Sequence, residues 1–215
     1  MHKDKCEFEQ NSKIQFTAVW YNISNKGLKM DSFNIADDIS NYLNSFEQKI
    51  KSYPHYSDIV ERMRDAQKEI DYEFNKISFL TLAFCRTKID IANAGKNNKT
   101  YMNDMLAQVG DAILDTIISE RYFAEGKRKK EIDDIRQRLA KNDNLFSIST
   151  KKSLISFCYH ESHFHDNAPS EHQVAAGSHD SIVEAIIGAI YLDGGIAKAR
   201  QWIYENIMVD IAKVI

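Results

Sequence analysis

From residue 32 onward, hydrophobic positions recur every three or four residues, and this rhythm carries most of the chain. Ile35, Ile39, Leu43, Phe46 and Ile50 mark a first helix that Pro54 stops. Ser57 is placed to cap a second, striped by Ile59, Met63, Ala66 and Ile70. The unbroken apolar run 77–84 reads as a buried helix, and 90–100, rich in Asn, Gly and Lys, as a loop. A long helix is predicted from about 100 to 124 and ended by Gly126. Its apolar stripe is Met102, Met105/Leu106, Val109, Ala112/Ile113 and Ile117; its polar stripe is Asp104, Gln108, Asp111 and Asp115. Helical spacing continues through 131–142 and about 144–158. The stretch 159–178 is a polar, His-rich loop around Pro169. Two last helices, about 179–193 and 196–213, meet at Gly194-Gly195. Residues 1–30 mix aromatic and polar positions (Phe16, Val19, Trp20, Tyr21, Ile23), the pattern of a strand or of irregular wrapping. No internal repeat is visible. The fold class expected is all-α: a helical domain over 57–215, preceded by a partly helical N-terminal extension, 1–56, of unassigned role.

Composition agrees, with 43% hydrophobic residues, 8 Gly and 2 Pro in 215 residues. Cys6, Cys85 and Cys158 are odd in number and widely spaced, with no CxxC pair, so a reducing intracellular compartment, cytoplasm or nucleus, is expected. The polar N-terminus lacks a signal-peptide core, and no run approaches the roughly 20 apolar residues that span a bilayer. The net charge of -3 gives no global sign of a nucleic-acid partner. Any such binding needs a local basic face, and Lys127, Arg128, Lys129 and Lys130, continued by Arg136, Arg138 and Lys141, form the most basic region. That run reads equally as a solvated helix start or as a phosphate contact.

Two carboxylates stand out against apolar surroundings. Glu184 lies within Ser-Ile-Val-Glu-Ala-Ile-Ile-Gly, and Asp111 follows Gly110. Mid-helix glycine costs about 0.5–1 kcal/mol against alanine, so Gly110 and Gly188 point to close helix contact. The simplest arrangement crosses the two helices backbone to backbone with both carboxylates at the crossing. Such a pair repels unless one carboxylate takes a proton or a cation lies between them. Oxygen donors without His or Cys suit a hard ion, Mg²⁺ or Mn²⁺. The plainer alternative is a carboxylate that caps or pairs with a buried base. His160, His163 and His165 with Asp166 lack the Cys partners and helical spacing of a zinc site, and read as solvated loop.

The stretch Asn103-Asp-Met-Leu-Ala-Gln-Val-Gly-Asp-Ala-Ile-Leu114 resembles the ribonuclease III signature, N-E-R-L-E-F-L-G-D-A-hydrophobic-L. Ser181 to Gly195, SIVEAIIGAIYLDGG, is similar to the second motif of that family. Between them, 132–142 resembles the segment carrying an Arg, and 70–83 the family's opening; the likeness covers about 58–213. The resemblance implies a ribonuclease III-type helical endonuclease domain, homodimeric, cutting double-stranded RNA with Mg²⁺ or Mn²⁺. Position by position, it assigns the metal and catalytic roles to Asp111 and Glu184. The signature's second Glu falls on Ala107, and the Asp three residues before the second-motif Glu falls on Ser181. Its first Glu falls on Asp104 and its dimer-packing aromatic on Gln108, which with Ser181 are assigned to the shell or dimer face.

Half the acidic quartet is therefore replaced. The compact Mini-III branch also keeps the Asp and Glu while differing at these positions, which supports a reduced but active site. The alternative is a catalytically inactive scaffold that binds RNA or dimerises. Asp180, four residues before Glu184, is either a helper ligand or the cap of a helix from 181. Asp115, one turn after Asp111, is a minor candidate, and Asp104 lies about 10.5 Å along the axis, too far to share a coordination place. His179 is placed to contact a phosphate or to cap. The chain ends soon after the nuclease-like region, so no double-stranded-RNA-binding domain is expected.

Overall fold

The computed structural model describes residues 35–86, 89–93, 96–159 and 179–209. Contacts divide the chain into Met1–Asn41 and Tyr42–Ile215. The first helix, α1 (Ile35–Lys51), therefore contributes its C-terminal half to the larger unit, where Leu43, Phe46 and Ile50 are buried. The Phe46 and Tyr42 rings lie 5.5 and 4.3 Å from that of Tyr101, and Ser78 donates to Glu47 at 2.7 Å. Helix α2 (Tyr56–Ile70) buries its Ile59, Met63, Ala66, Ile70 stripe as its spacing demands. It starts one residue before Ser57, whose hydroxyl donates to Asp58 instead of capping the helix. Helix α3 (Ile77–Ala83) is buried over most of its length.

The predicted loop at 90–100 is instead an antiparallel hairpin, β1 (Ile89–Asn93) paired with β2 (Lys96–Tyr101), Ile89 opposite Tyr101. The ends of the hairpin, Ile89 and Tyr101, are buried and fix it to the core. The helix expected from about 100 consequently starts later, as α4 (Asn103–Ala124). Gly126, at φ 75°, closes α4: the Gly126 N–H bonds to the Phe123 carbonyl and Lys127 N–H to that of Tyr122. Helices α5 (Lys129–Leu139) and α6 (Asn142–Lys151) and a 3₁₀ turn (Leu154–Phe157) follow.

The last element, α7 (His179–Asn206), is interrupted at Gly195 (φ 79°), the break expected from Gly194-Gly195. Ile182, Val183, Ala185, Ile186, Ile187, Ala189 and Ile190 are all fully buried, so α7 forms the centre of the core. Its main partner is α4, and α3, α6 and the 3₁₀ turn also pack against it. No helix among the described residues is long and apolar enough to cross a membrane.

Candidate active site

The α4–α7 crossing is set by two glycines. A Cβ added at residue 110 would overlap the Glu184 carbonyl oxygen and lie 2.6 Å from its carbon and 2.9 Å from the Gly188 nitrogen. A Cβ at 188 would overlap the Leu106 carbonyl oxygen and lie 3.1 Å from the Gly110 nitrogen. Backbone therefore touches backbone at this point. Asp111, next to Gly110, and Glu184, whose own carbonyl is in the contact, leave the two helices from the crossing itself, and both are half-buried.

The buried face of α4 is Leu106, Ala107, Gly110, Leu114, Ile117 and Ile118, with Asn103 and Tyr122 towards its ends, and Leu106 and Gly110 meet the backbone of α7. This face is rotated by about one residue from the predicted stripe: Met105 is 45% exposed and Ala112 is exposed. Close approach selects small residues, so the contact face follows Ala107 and Gly110 and not the largest apolar side chains. Ala107 is itself buried, part of the packing.

Asp115 is committed elsewhere. Arg136 of α5 donates to its carboxylate at 3.2 Å, with both side chains about one-third exposed. Burial pushes the Asp115 carboxyl up, Arg136 pulls it down, and the charge of Asp111 raises it further. Asp111 and Asp115 thus sense one another along one face of α4. Asp104 and Gln108 are exposed, on the solvent side of α4's first turns.

The structure also brings in a residue that sequence reasoning missed. Arg86 donates from Nη1 to Ser181 Oγ at 3.0 Å, across 95 residues of sequence. The chain there is held by an isolated bridge between Cys85 and Tyr159: Tyr159 N–H bonds to the Phe84 carbonyl at 3.1 Å and Arg86 N–H to the Tyr159 carbonyl at 2.9 Å. The available signal was a basic residue just beyond the apolar run 77–84, after Cys85. Asp193, quoted only as part of a motif, is a second such residue. Its carboxylate accepts from Tyr72 Oη (3.0 Å), Asn75 N–H (2.9 Å) and Lys76 N–H (2.9 Å), so α7 caps the N-terminus of α3.

Other predicted residues stand apart from the crossing. Lys127, Arg128, Lys129 and Lys130 are exposed across the α4–α5 junction, and Glu131 accepts from both the Arg128 backbone and guanidinium. Helix α7 begins at His179, so Asp180 lies inside its first turn and not ahead of it; the side chains of both residues lie outside what is described. His160, His163, His165 and Asp166 lie outside the described residues. Among the described residues no group of three or more His, Cys, Asp or Glu is gathered as a metal cage. Asp111 and Glu184, on touching backbone at the crossing, supply carboxylate oxygens, the donor type that hard divalent ions take.

A model of the ribonuclease-III-like family matches residues 93–211, more than half of the chain and including both α4 and α7. The chain belongs to that family. It is 27% identical over 152 residues to a ribonuclease 3 of Clostridium tetani, covering 67% of this chain and 59% of that relative. It is 28% identical over 149 residues to the ribonuclease 3 of Streptococcus pyogenes, covering 66% and 61%. The chain thus spans about three fifths of the length of these curated relatives. Among solved structures, it is similar to the nuclease domain of a Campylobacter jejuni ribonuclease III, with TM-score 0.48 and 22% identity over 67% of this chain and 97% of that one.

Proposed function

We propose that this chain is a divalent-metal-dependent endoribonuclease that cleaves double-stranded RNA with a reduced acidic site. The observation that carries the reading is the Gly110–Gly188 crossing, which sets Asp111 and Glu184 on touching stretches of backbone. In this reading Asp111 and Glu184 hold a Mg²⁺ or Mn²⁺ ion, with Asp180 as the helper. When bound, the ion supplies an activated water and stabilises the leaving oxygen at phosphorus. The protein's part is to hold the two carboxylates rigidly: helices that touch through backbone cannot slide without breaking the crossing. Arg136 keeps Asp115 paired one turn away, where its carboxylate adds negative field to Asp111. Lys127, Arg128, Lys129 and Lys130 would meet RNA phosphates, and Asp104, Gln108 and Ser181 belong to the surround or to the face of a homodimer.

Incubating the protein with long double-stranded RNA and Mg²⁺ or Mn²⁺ tests this. Metal-dependent cuts are expected, and Glu184→Gln or Asp111→Asn should slow them at least ~100-fold, since loss of outer-shell partners alone costs roughly 10–100-fold. No metal-dependent cleavage by the parent, or equal cleavage by the variants, overturns the reading. Ala107 buried in packing and Ser181 bound to Arg86 favour a second one, an inactive scaffold that binds structured RNA. It predicts RNA binding with no cuts under any metal. Elution of the folded protein as a strict monomer would remove the homodimer.

A further inference from the structure

Arg86 and Ser181 meet at the edge of the acidic crossing in a way the metal-ligand reading leaves unexplained. Ser181 lies three residues before Glu184 on α7, so the two side chains share a face about one turn apart. The Arg86 guanidinium is 3.0 Å from the Ser181 hydroxyl and only part-buried. Its backbone is fixed by the Cys85–Tyr159 bridge and the Arg86 N–H to Tyr159 carbonyl bond, so the base of the side chain has little freedom. Arg62 reinforces the same corner, donating to the Cys158 carbonyl at 3.1 Å. Both arginines draw the Cys158 thiol downward, although burial still pushes it up to about 12. A hydroxyl orients a guanidinium without cancelling its charge, whereas a carboxylate at the same position would cancel it.

We propose that Arg86 is a phosphate-positioning residue of this site. Held by Ser181 one turn from Glu184, its guanidinium supplies a fixed positive charge that takes a non-bridging oxygen of the RNA phosphodiester, and Ser181 orients it. The inference rests on the nuclease reading. It carries a consequence for the replaced ligand. An aspartate placed at 181 would pair with Arg86 and add little to metal affinity; the added carboxylate becomes available only when Arg86 is also removed.

The test has two arms. In a Glu184→Gln background, which binds without cutting, duplex RNA is titrated by fluorescence anisotropy across a KCl series. Arg86→Gln should lower the slope of log affinity against log salt by about one, and Arg86→Lys should keep it, because each phosphate neutralised contributes about 0.9 to that slope. Mn²⁺ binding, followed by electron paramagnetic resonance in the otherwise unchanged protein, forms the second arm. Ser181→Asp should leave Mn²⁺ affinity within about threefold, and Ser181→Asp with Arg86→Gln should tighten it by roughly tenfold or more. Unchanged slope in Arg86→Gln, or equal tightening in the single and double variants, overturns the proposal. Matching melting temperatures show that the variants are folded; should Arg86→Gln fail to fold, tenfold tighter Mn²⁺ binding by Ser181→Asp alone overturns the proposal, and affinity within threefold supports it. If the parent protein cuts RNA while these results fail, Arg86 alone is wrongly assigned. If the parent never cuts, the nuclease reading itself is lost.

Discussion

Replacing Gly110 by alanine strikes the feature on which the whole site depends. The new Cβ would sit 2.6 Å from the Glu184 carbonyl carbon, whereas ordinary contact begins at 3.4 Å, and it would overlap the carbonyl oxygen. The obstacle is backbone, so no rotamer change relieves it and α4 and α7 must separate. Overpacking of this kind costs about 1–3 kcal/mol, and a rigid backbone contact belongs at the top of that range. Alanine returns about 0.5–1 kcal/mol of helix preference, leaving a net loss of about 2 kcal/mol. For a domain of this size that lowers the melting temperature by about 4–8 °C, measurable by far-UV circular dichroism. Gly126→Ala is the comparison: nothing lies within 4 Å of its Cβ, and only the positive φ of 75° resists it, at about 1 kcal/mol. Gly188→Ala should resemble Gly110→Ala, and the double variant should lose clearly less than the sum, because one separation relieves both clashes. A Gly110→Ala melting point equal to or above the parent's, or strict additivity of the two changes, would refute the backbone crossing and with it the placement of Asp111 and Glu184.

Other consequences are narrower. Asp193→Ala removes the acceptor for Tyr72 and for two backbone N–H groups at the head of α3 and should cost about 2 kcal/mol by urea unfolding; Asp193→Asn, which keeps an acceptor, should cost less. Glu47 is held below its ordinary 4.5 chiefly by its hydrogen bond with Lys51 and then by Ser78, against opposing burial. A carboxyl lowered in the fold adds stability above its unfolded value that is lost as pH falls through the folded one. Glu47→Gln should therefore flatten the stability loss below about pH 4.5, and an unchanged acid limb would contradict the pairing. Cys85 and Cys158 are buried and form no disulfide among the described residues, and burial pushes the Cys158 thiol up to about 12. In a Cys6→Ser background neither should react with a thiol reagent until the protein unfolds.

What was legible in the sequence followed from periodicity and from glycine. The stripes of α1 and α2 bury as their spacing requires, and Gly195 breaks α7 where two adjacent glycines stand. Gly110 and Gly188 revealed the crossing because a mid-helix glycine has a cost that only close contact offsets. The rotation of α4 was hidden for the same reason. A face chosen for smallness carries little hydrophobic signal, so Met105 and Ala112 looked like core. The hairpin was hidden because its anchors, Ile89 and Tyr101, lie outside the polar stretch that dominates its composition. Arg86 and Asp193 act across 95 and 118 residues of sequence, at distances where spacing carries no information.

The charge at the crossing connects these findings. The ribonuclease III resemblance aligns carboxylate positions with Ala107 and Ser181, and the proposed acidic site of this chain is Asp111 and Glu184 with Asp180 as helper. Under the proposed chemistry Asp111, Glu184 and the helper Asp180 would hold the cation, while the Ser181 hydroxyl is oriented on the Arg86 guanidinium. Two arginines border the site from separate elements, Arg136 on Asp115 and Arg86 on Ser181. The first offsets part of the repulsion between Asp115 and Asp111. The second places a guanidinium beside Ser181, one turn from Glu184. Under the proposal Ser181 and Arg86 therefore act as one unit, the hydroxyl orienting the guanidinium. Restoring an aspartate alone would cancel Arg86's charge without completing the acidic site.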